Sequence, residues 1–208
     1  MYNNLENISL MVNKTVKKKR APVESVYSKA DYDSNDGMLT SVWGPSMWHY
    51  LHSMSFNYPT NPTPSNKKHY LQFILSLQFV LPCGKCRANL VENFKKLPLQ
   101  MKDMKNRETF SRYVYNLHEL INTMLGKCSN LTYDDVRDRY EHFRSRCVKT
   151  AKKRVKIIDE PDLAKTELGC TRPLYGEKSK CILKIVPDTT ECESLTIDKK
   201  CIKTAYTD

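Results

Sequence analysis

The sequence predicts a mainly α protein with a small β-containing or irregular C-terminal extension. Three observations carry this. Glycine is scarce, at 6 residues in 208, and strand-and-turn folds use more of it in their turns. From Trp43 to about Cys147, apolar residues recur every three or four positions, the period of a helix face. Beyond residue 155 that period gives way to short β-branched pieces, "VKII", "CILKIV" and "CIKTAY", separated by Pro, Gly, Asp and Thr. The chain divides accordingly into a flexible leader over 1–38, a helical domain over 39–150 and a cysteine-containing extension over 151–208.

The elements follow in order. The leader holds the basic run "KTVKKKR" and the polar stretch "SKADYDSNDG", neither with a period. In "GPSMWHYLHSMSF", Pro45 suits the first helical position after Gly44, and Trp48, Leu51, His52, Ser55 and Phe56 share one face. "NYPTNPTP" ends that helix, because three prolines in eight residues cannot continue it. Ser65 is placed to cap a second helix, with Tyr70, Phe73, Ile74 and Leu77 inward. Pro82 closes it and opens a third from Cys83 to about Phe94, with Cys86, Leu90 and Phe94 on one side. A fourth runs from about Glu108 to Leu125 and stops at Gly126. Its period includes Phe110, Tyr113, Val114, Leu117, Leu120, Ile121 and Leu125. Thr132 and Asp135 form a capping box for a fifth, reaching about Cys147, with Val136, Tyr140 and Phe143 inward.

Composition narrows the function classes. At 40% hydrophobic and 27% charged, the chain reads as soluble and globular. It has no apolar run long enough to span a membrane and no apolar region of a secretory signal. The expected setting is therefore soluble and cytoplasmic. Of the net charge of +11, most lies in residues 41–148, with 15 Lys and Arg against 8 Asp and Glu. Such a surface suits nucleic acid, a phosphorylated cofactor, anionic partners or plain solvation. Eight cysteines without a secretory signal point to metal or redox chemistry before a disulfide framework.

"LPCGKC" holds the one Cys-x-x-Cys, Cys83 and Cys86. A structural zinc site needs four ligands; no second such pair exists and the histidines are scattered. A thioredoxin-like pair follows a strand, whereas this one follows a helical stretch. A dithiol at a helix start, with its thiolate favoured by the helix N-terminus and by Lys85 and Arg87, competes with two inert buried thiols. Disulfide exchange needs such a thiolate, and net oxidation needs an electron acceptor. Two pairs four residues apart, Trp48 with His52 and His118 with Asn122, each share a helix face that could hold a ring-shaped cofactor or simply pack in a core.

The stretches "WGPSMWHYLHSMSFNYP", "FVLPCGKCRANL", "YNLHELINTMLGKC" and "YDDVRDRYEHF", in that order and spacing over roughly residues 43–146, resemble the Erv/ALR family of FAD-linked sulfhydryl oxidases. The resemblance implies a four-helix bundle plus a short fifth helix, FAD at its mouth, and oxidation of protein dithiol substrates with transfer of electrons to molecular oxygen, yielding hydrogen peroxide. By position it implies that Cys83 exchanges with the incoming thiol and that Cys86 is the flavin-side, charge-transfer thiolate. It implies cofactor contacts from Gly44, Trp48, His52, Tyr58, His118, Asn122, Lys127 and Tyr140. It further implies a homodimer paired through the first helices, no bound metal, and a shuttle cysteine pair, for which Cys170, Cys181, Cys192 and Cys201 are the candidates, structural disulfides within the tail being the other reading. The basic middle segment then suits a dianionic cofactor, and nucleic acid is not required. The compact core with an unfamiliar tail is similar to members encoded by large DNA viruses, so virion proteins are the implied substrates and the viral factory or virion the implied setting.

The chain departs from the family's pattern twice. Glu119 stands where the family has Asn after its first His, so it is expected to turn away or pair with a base. The disulfide that pins the fifth helix in many members, from near Tyr115 to near Thr132, has no cysteines here, and Cys128 lacks an obvious partner. Packing or the extension must then hold that helix. The competing class is a non-catalytic basic helical module binding zinc or nucleic acid.

Overall fold

The structure is a computed structural model that describes residues 26–147 and, within 170–202, all but 175, 188, 191, 192 and 194. The leader's basic run and "VKII" lie outside the described residues. The chain divides into two compact units, residues 1–36 and 37–208. In the first, α1 (Lys29–Tyr32) is a single turn closed by a capping box between Ser28 and Asp31.

The second unit is built on helices α2 (Thr40–Phe56), α3 (Pro64–Val80), α4 (Gly84–Lys96), α5 (Arg107–Met124) and α6 (Tyr133–Glu141). α2 packs on α5 and α6, α3 packs on α4, and α5 also touches α4 and α6. Leu51, Ile74, Leu77, Leu90, Phe110, Tyr113, Val114 and Leu117 meet in one core, joined by Tyr58 and Met104 from the connecting loops. The expected faces of α3 and α4 turn inward, with Tyr70, Phe73 and Phe94 partly buried at the rim. Leu125, though in period with α5, is 53% exposed, because it lies past the last helical turn.

Local chemistry sets the boundaries. α2 starts at Thr40, five residues before Pro45, which sits inside the helix. The extra turn is held from outside: Met38 N–H donates to Pro82 O at 2.8 Å, and the Trp43 indole donates to Met38 O at 3.1 Å. Tertiary bonds thus override the proline's preference for a helix start. α3 is capped by Thr63, not Ser65. Its hydroxyl accepts from Asn66 N–H, Asn66 Oδ1 accepts from Thr63 N–H, and Pro64 takes the first position. α4 is capped by Cys83 and α5 by Asn106. Gly126, at φ 68°, ends α5 in the left-handed conformation that glycine adopts freely.

α6 opens on the Thr132–Asp135 box but stops at Glu141. Residues Ser145–Cys147 instead form β1, paired antiparallel with β2 (Cys170–Pro173). Leu174 N–H donates to Arg144 O at 2.9 Å, so the extension draws the chain out of the helix. Phe143 is accordingly 37% exposed rather than buried. "CILKIV" carries no strand pairing, and Lys199–Cys201 is a single 3-10 turn.

Removing the Phe110 ring, fully buried at 0% exposure, should cost about 3–5 kcal/mol in Phe110→Ala. Tyr58→Phe, which orphans the Met104 carbonyl bonded at 3.0 Å, should cost about 1–3 kcal/mol. Urea unfolding of both variants measures this, and a Phe110→Ala midpoint equal to that of the parent would contradict the core assignment.

Candidate active site

The thiol pair sits where α3 turns into α4. Cys83 is the α4 cap and its sulfur accepts the Cys86 N–H at 3.2 Å. Both thiols are free and half-buried. The Cys83 thiol is held below the usual thiol range, first by the Cys86 thiol, then by the Cys86 backbone N–H, with smaller help from the Thr40 hydroxyl and the Lys85 N–H. The helix N-terminus thus acts as expected. The two cations do not: Arg87 turns its guanidinium back to the Leu81 carbonyl, and Lys85 contributes its backbone N–H. Burial pushes the Cys86 thiol up, and its bond to Cys83 pushes it the same way. The Thr40 hydroxyl lies 3.2 Å from Cys86 Sγ and opposes both.

A second cluster forms where α2, α5 and α6 converge. Trp48 stacks on His118 with centroids 3.8 Å apart and planes 7° off parallel. His52 Nε2 and His118 Nδ1 are 2.9 Å apart. Tyr140 faces His52 at 5.3 Å and stacks on Phe56 at 5.5 Å. His49 Nδ1 meets the Tyr140 hydroxyl at 3.3 Å. Burial drives the His52 imidazole down to about 3, with the His118 and His49 charges adding to it. Burial takes His118 to about 4. Both rings are therefore neutral at ordinary pH, and one proton bridges them. His52 is 4% exposed and its Nδ1 has no partner. A neutral, aromatic-walled site with an unsatisfied buried nitrogen has the composition a flat heteroaromatic cofactor requires.

α2 links the two clusters. Thr40, Gly44, Trp48 and Ser55 fall on one helical stripe, and Thr40 and His52 are about 18 Å apart along the axis. Gly44 is buried on that stripe, yet a Cβ there would meet one atom within 4 Å, Thr40 Cγ2 at 3.5 Å.

Of the residues expected to contact a cofactor, the structure brings Trp48, His52, His118 and Tyr140 into direct contact. Asn122 lies farther along α5, its amide donating to Glu119 Oε1 at 3.0 Å. Glu119, expected to turn away or pair with a base, accepts from a neutral amide instead. Lys127 is exposed just past Gly126. Tyr58 stands in the core against Tyr70 and Phe110, its hydroxyl committed to Met104. Cys181 is exposed and free, Cys201 is half-buried and free, Cys170 belongs to β2, and Cys192 lies outside the described residues. Sequence reasoning missed His49 and Thr40. His49 is adjacent in sequence to Trp48 but off the inward face, and Thr40 lies ahead of the quoted motif, so neither carried a signal.

The model of the Erv1 / Alr family matches residues 45–141. The chain is 35% identical over 104 residues to a protein of Acanthamoeba polyphaga mimivirus named as a probable FAD-linked sulfhydryl oxidase, covering 50% of this chain and 72% of that protein. It is 28% identical over 99 residues to the FAD-linked sulfhydryl oxidase of African swine fever virus, covering 48% of this chain and 80% of the relative. Among solved structures, the FAD-binding domain of Erv1 from Saccharomyces cerevisiae aligns at 25% identity and a TM-score of 0.45, covering 50% of this chain and 94% of that one.

The histidine pair generates a pH dependence. Both imidazoles titrate lower when folded than their ordinary 6.5, so the unfolded chain takes up protons first. Their contribution to stability is whole above pH 6.5 and is lost as pH falls through about 4 for His118 and about 3 for His52. Urea midpoints of the cofactor-free protein should decline between pH 6.5 and 5, and the decline should flatten in His52→Phe. Equal slopes would rule out the buried neutral pair.

Proposed function

Since the chain belongs to the Erv1 / Alr family, we infer that it is an FAD-linked sulfhydryl oxidase whose redox pair is Cys83 and Cys86. The observation that carries the site assignment is a free dithiol at the start of α4, with the cap thiol Cys83 lowered by the Cys86 thiol and then by the Cys86 backbone N–H. No group of three or more metal-ligating side chains occurs among the described residues, and none of their helices is long and apolar enough to cross a membrane. Nothing in them favours a zinc or nucleic-acid module.

In the proposed reaction the pair begins as a disulfide. A thiolate of a protein dithiol attacks Cys83 Sγ, the Cys83–Cys86 bond breaks, and its electron pair leaves on Cys86. The second substrate thiolate attacks the mixed disulfide, releasing oxidised substrate and the Cys83 thiolate. FAD, when bound, supplies the two-electron acceptor that restores the disulfide and passes the electrons to oxygen, giving hydrogen peroxide. Trp48, His52, His118 and Tyr140 would hold it, with the unpartnered His52 Nδ1 as a hydrogen-bonding point. Gly44 would leave it room, and Asn122 and Lys127 would serve its polar end, Lys127 as a point charge for phosphate. Tyr58 would fix the end of α2 from within the core.

The oxidase domain in this reading spans 39–150, and the extension supplies shuttle thiols from among Cys170, Cys181, Cys192 and Cys201. A homodimer is part of the same reading. Tyr50 on α2, and Phe79 and Val80 on α3, offer exposed apolar surface for it; a monomer in sedimentation velocity at micromolar concentration would refute it.

Purified protein should show a flavin spectrum that bleaches on adding a dithiol and recovers in air. Cys83→Ser and Cys86→Ser should keep the flavin and lose oxygen consumption. A protein that takes up no FAD would overturn the reading. Among the tail cysteines, two single Ser variants should slow oxidation of a protein substrate while leaving small dithiols unaffected, and unchanged turnover in all four removes the shuttle.

A further inference from the structure

The dithiol has a partner on another helix. Thr40 is the first residue of α2, and its hydroxyl lies 3.2 Å from Cys86 Sγ across 46 residues of sequence. The placement is built. Met38 N–H donates to the Pro82 carbonyl, the residue before Cys83, at 2.8 Å. Gly37 presses on the same turn, where a Cβ would meet Pro82 O at 3.2 Å and Cys83 Cα at 3.3 Å. The segment leading into α2 is thus fastened to the turn leading into α4, two residues from Thr40. The hydroxyl does not cap its own helix, whose cap position is Leu39 with no side-chain bond.

We propose that Thr40 is a positioning residue for thiol exchange, its hydroxyl donating a hydrogen bond to Cys86 Sγ as that sulfur leaves with the electron pair of the broken Cys83–Cys86 bond. The proposal rests on the oxidase reading for its role in turnover, but not for the bond itself. In the dithiol either atom can donate. Once Cys86 is a thiolate its sulfur has no proton, so only Thr40 can. The step balances without an added reagent: the substrate sulfur bonds to Cys83, the Cys83–Cys86 bond breaks, and Cys86 carries the negative charge that the substrate thiolate brought.

Such help is needed at Cys86 rather than Cys83. Cys83 is lowered first by the Cys86 thiol and then by the Cys86 N–H, so the Thr40 hydroxyl and the Lys85 N–H are smaller additions there. Cys86, one turn into the helix and more buried, has fewer donors, and the ionisable neighbour whose charge bears on it is Cys83. Lys85 and Arg87 flank it on α4, Arg87 being turned to the Leu81 carbonyl, and the α2 residue facing it, Thr40, is uncharged. A leaving thiolate departs faster when it is more stable, so a donor on Cys86 speeds the exchange.

The test uses the full-length chain with Cys83→Ser, which leaves Cys86 alone in the site, and follows iodoacetamide alkylation of Cys86 by peptide mass spectrometry across pH. Adding Thr40→Val should move the Cys86 midpoint upward and slow alkylation at neutral pH by roughly three- to tenfold, as loss of one partly exposed hydrogen bond to a charged group predicts. Thr40→Ser should track the parent, and circular dichroism checks that each variant is folded. With the intact pair, Thr40→Val should slow dithiothreitol oxidation at neutral pH and recover at high pH. An unmoved midpoint in Thr40→Val, or a Thr40→Ser that behaves like valine, overturns the proposal. If the intact protein oxidises no dithiol while the Cys86 midpoint still moves, the oxidase reading fails and the Thr40 bond stands.

Discussion

The contact between the buried His52 and the half-buried His118, 2.9 Å long, is the constraint around which the helical domain is arranged. Two imidazoles that close cannot both be charged out of water, and burial keeps both neutral. Their shared proton fixes the spacing of α2 and α5 at the crossing, and Trp48 stacked on His118 fixes its angle. Tyr140 of α6 then has one place to go, against His52 and Phe56. The cost is a buried nitrogen on His52 with no partner. A core built for stability alone would fill that position with carbon; one that receives a heteroaromatic ligand leaves it open.

The fifth helix of the bundle, α6, shows how the fold does without the disulfide common in the family. Several weaker ties replace it. Tyr133 shares a hydrogen bond of 2.8 Å with Ser111 and lies under the Arg112 guanidinium at 3.9 Å. The Tyr115 hydroxyl donates to Leu131 O at 2.7 Å. At the far end Arg144 donates to Phe56 O at 2.8 Å and to Glu141, joining the ends of α2 and α6. Beside them Phe56, Tyr133 and Val136 bury a small core of their own. Because these ties are spread over both ends of the helix, losing one leaves the rest to hold Tyr140 in place. The extension adds a further hold through Leu174 and β1.

How much of this the sequence shows depends on whether the deciding force is local. α5 and α6 carry caps and an apolar period, and their starts and inward faces, Leu125 and Phe143 excepted, were legible, down to the Thr132–Asp135 box. The thiol pair was legible because a thiol spacing is itself a chemical statement. The start of α2 was not, because Met38 N–H is bonded to Pro82 O, far along the sequence, and the Trp43 indole in turn holds Met38 O. The end of α6 was misread because β2 pairs with the segment that the period assigned to helix. His49 and Tyr140 are 91 residues apart, and no pattern within either helix announces their contact. Glu119 looked like a misplaced charge, but it accepts a bond from Asn122 one turn away, a pairing that the i, i+3 spacing allowed.

The two sulfurs of the pair are unequal, and the inequality follows from helix geometry. A cap residue lies outside the helix with its side chain folded over the free N–H groups, so Cys83 gains donors and sheds its proton readily. A residue three positions on turns its side chain toward the neighbouring helices, so Cys86 gains burial and resists ionising. In the proposed exchange this inequality suits attack at Cys83, the cap residue, with Cys86 left to carry the charge. An unassisted Cys86 would make that step slow, because a buried thiol of raised pKa is a poor leaving group. The fold answers by starting α2 early. The turn that the proline should have forbidden brings one hydroxyl to Cys86 Sγ, and the same Met38 bond to Pro82 that extends the helix keeps that hydroxyl beside the pair.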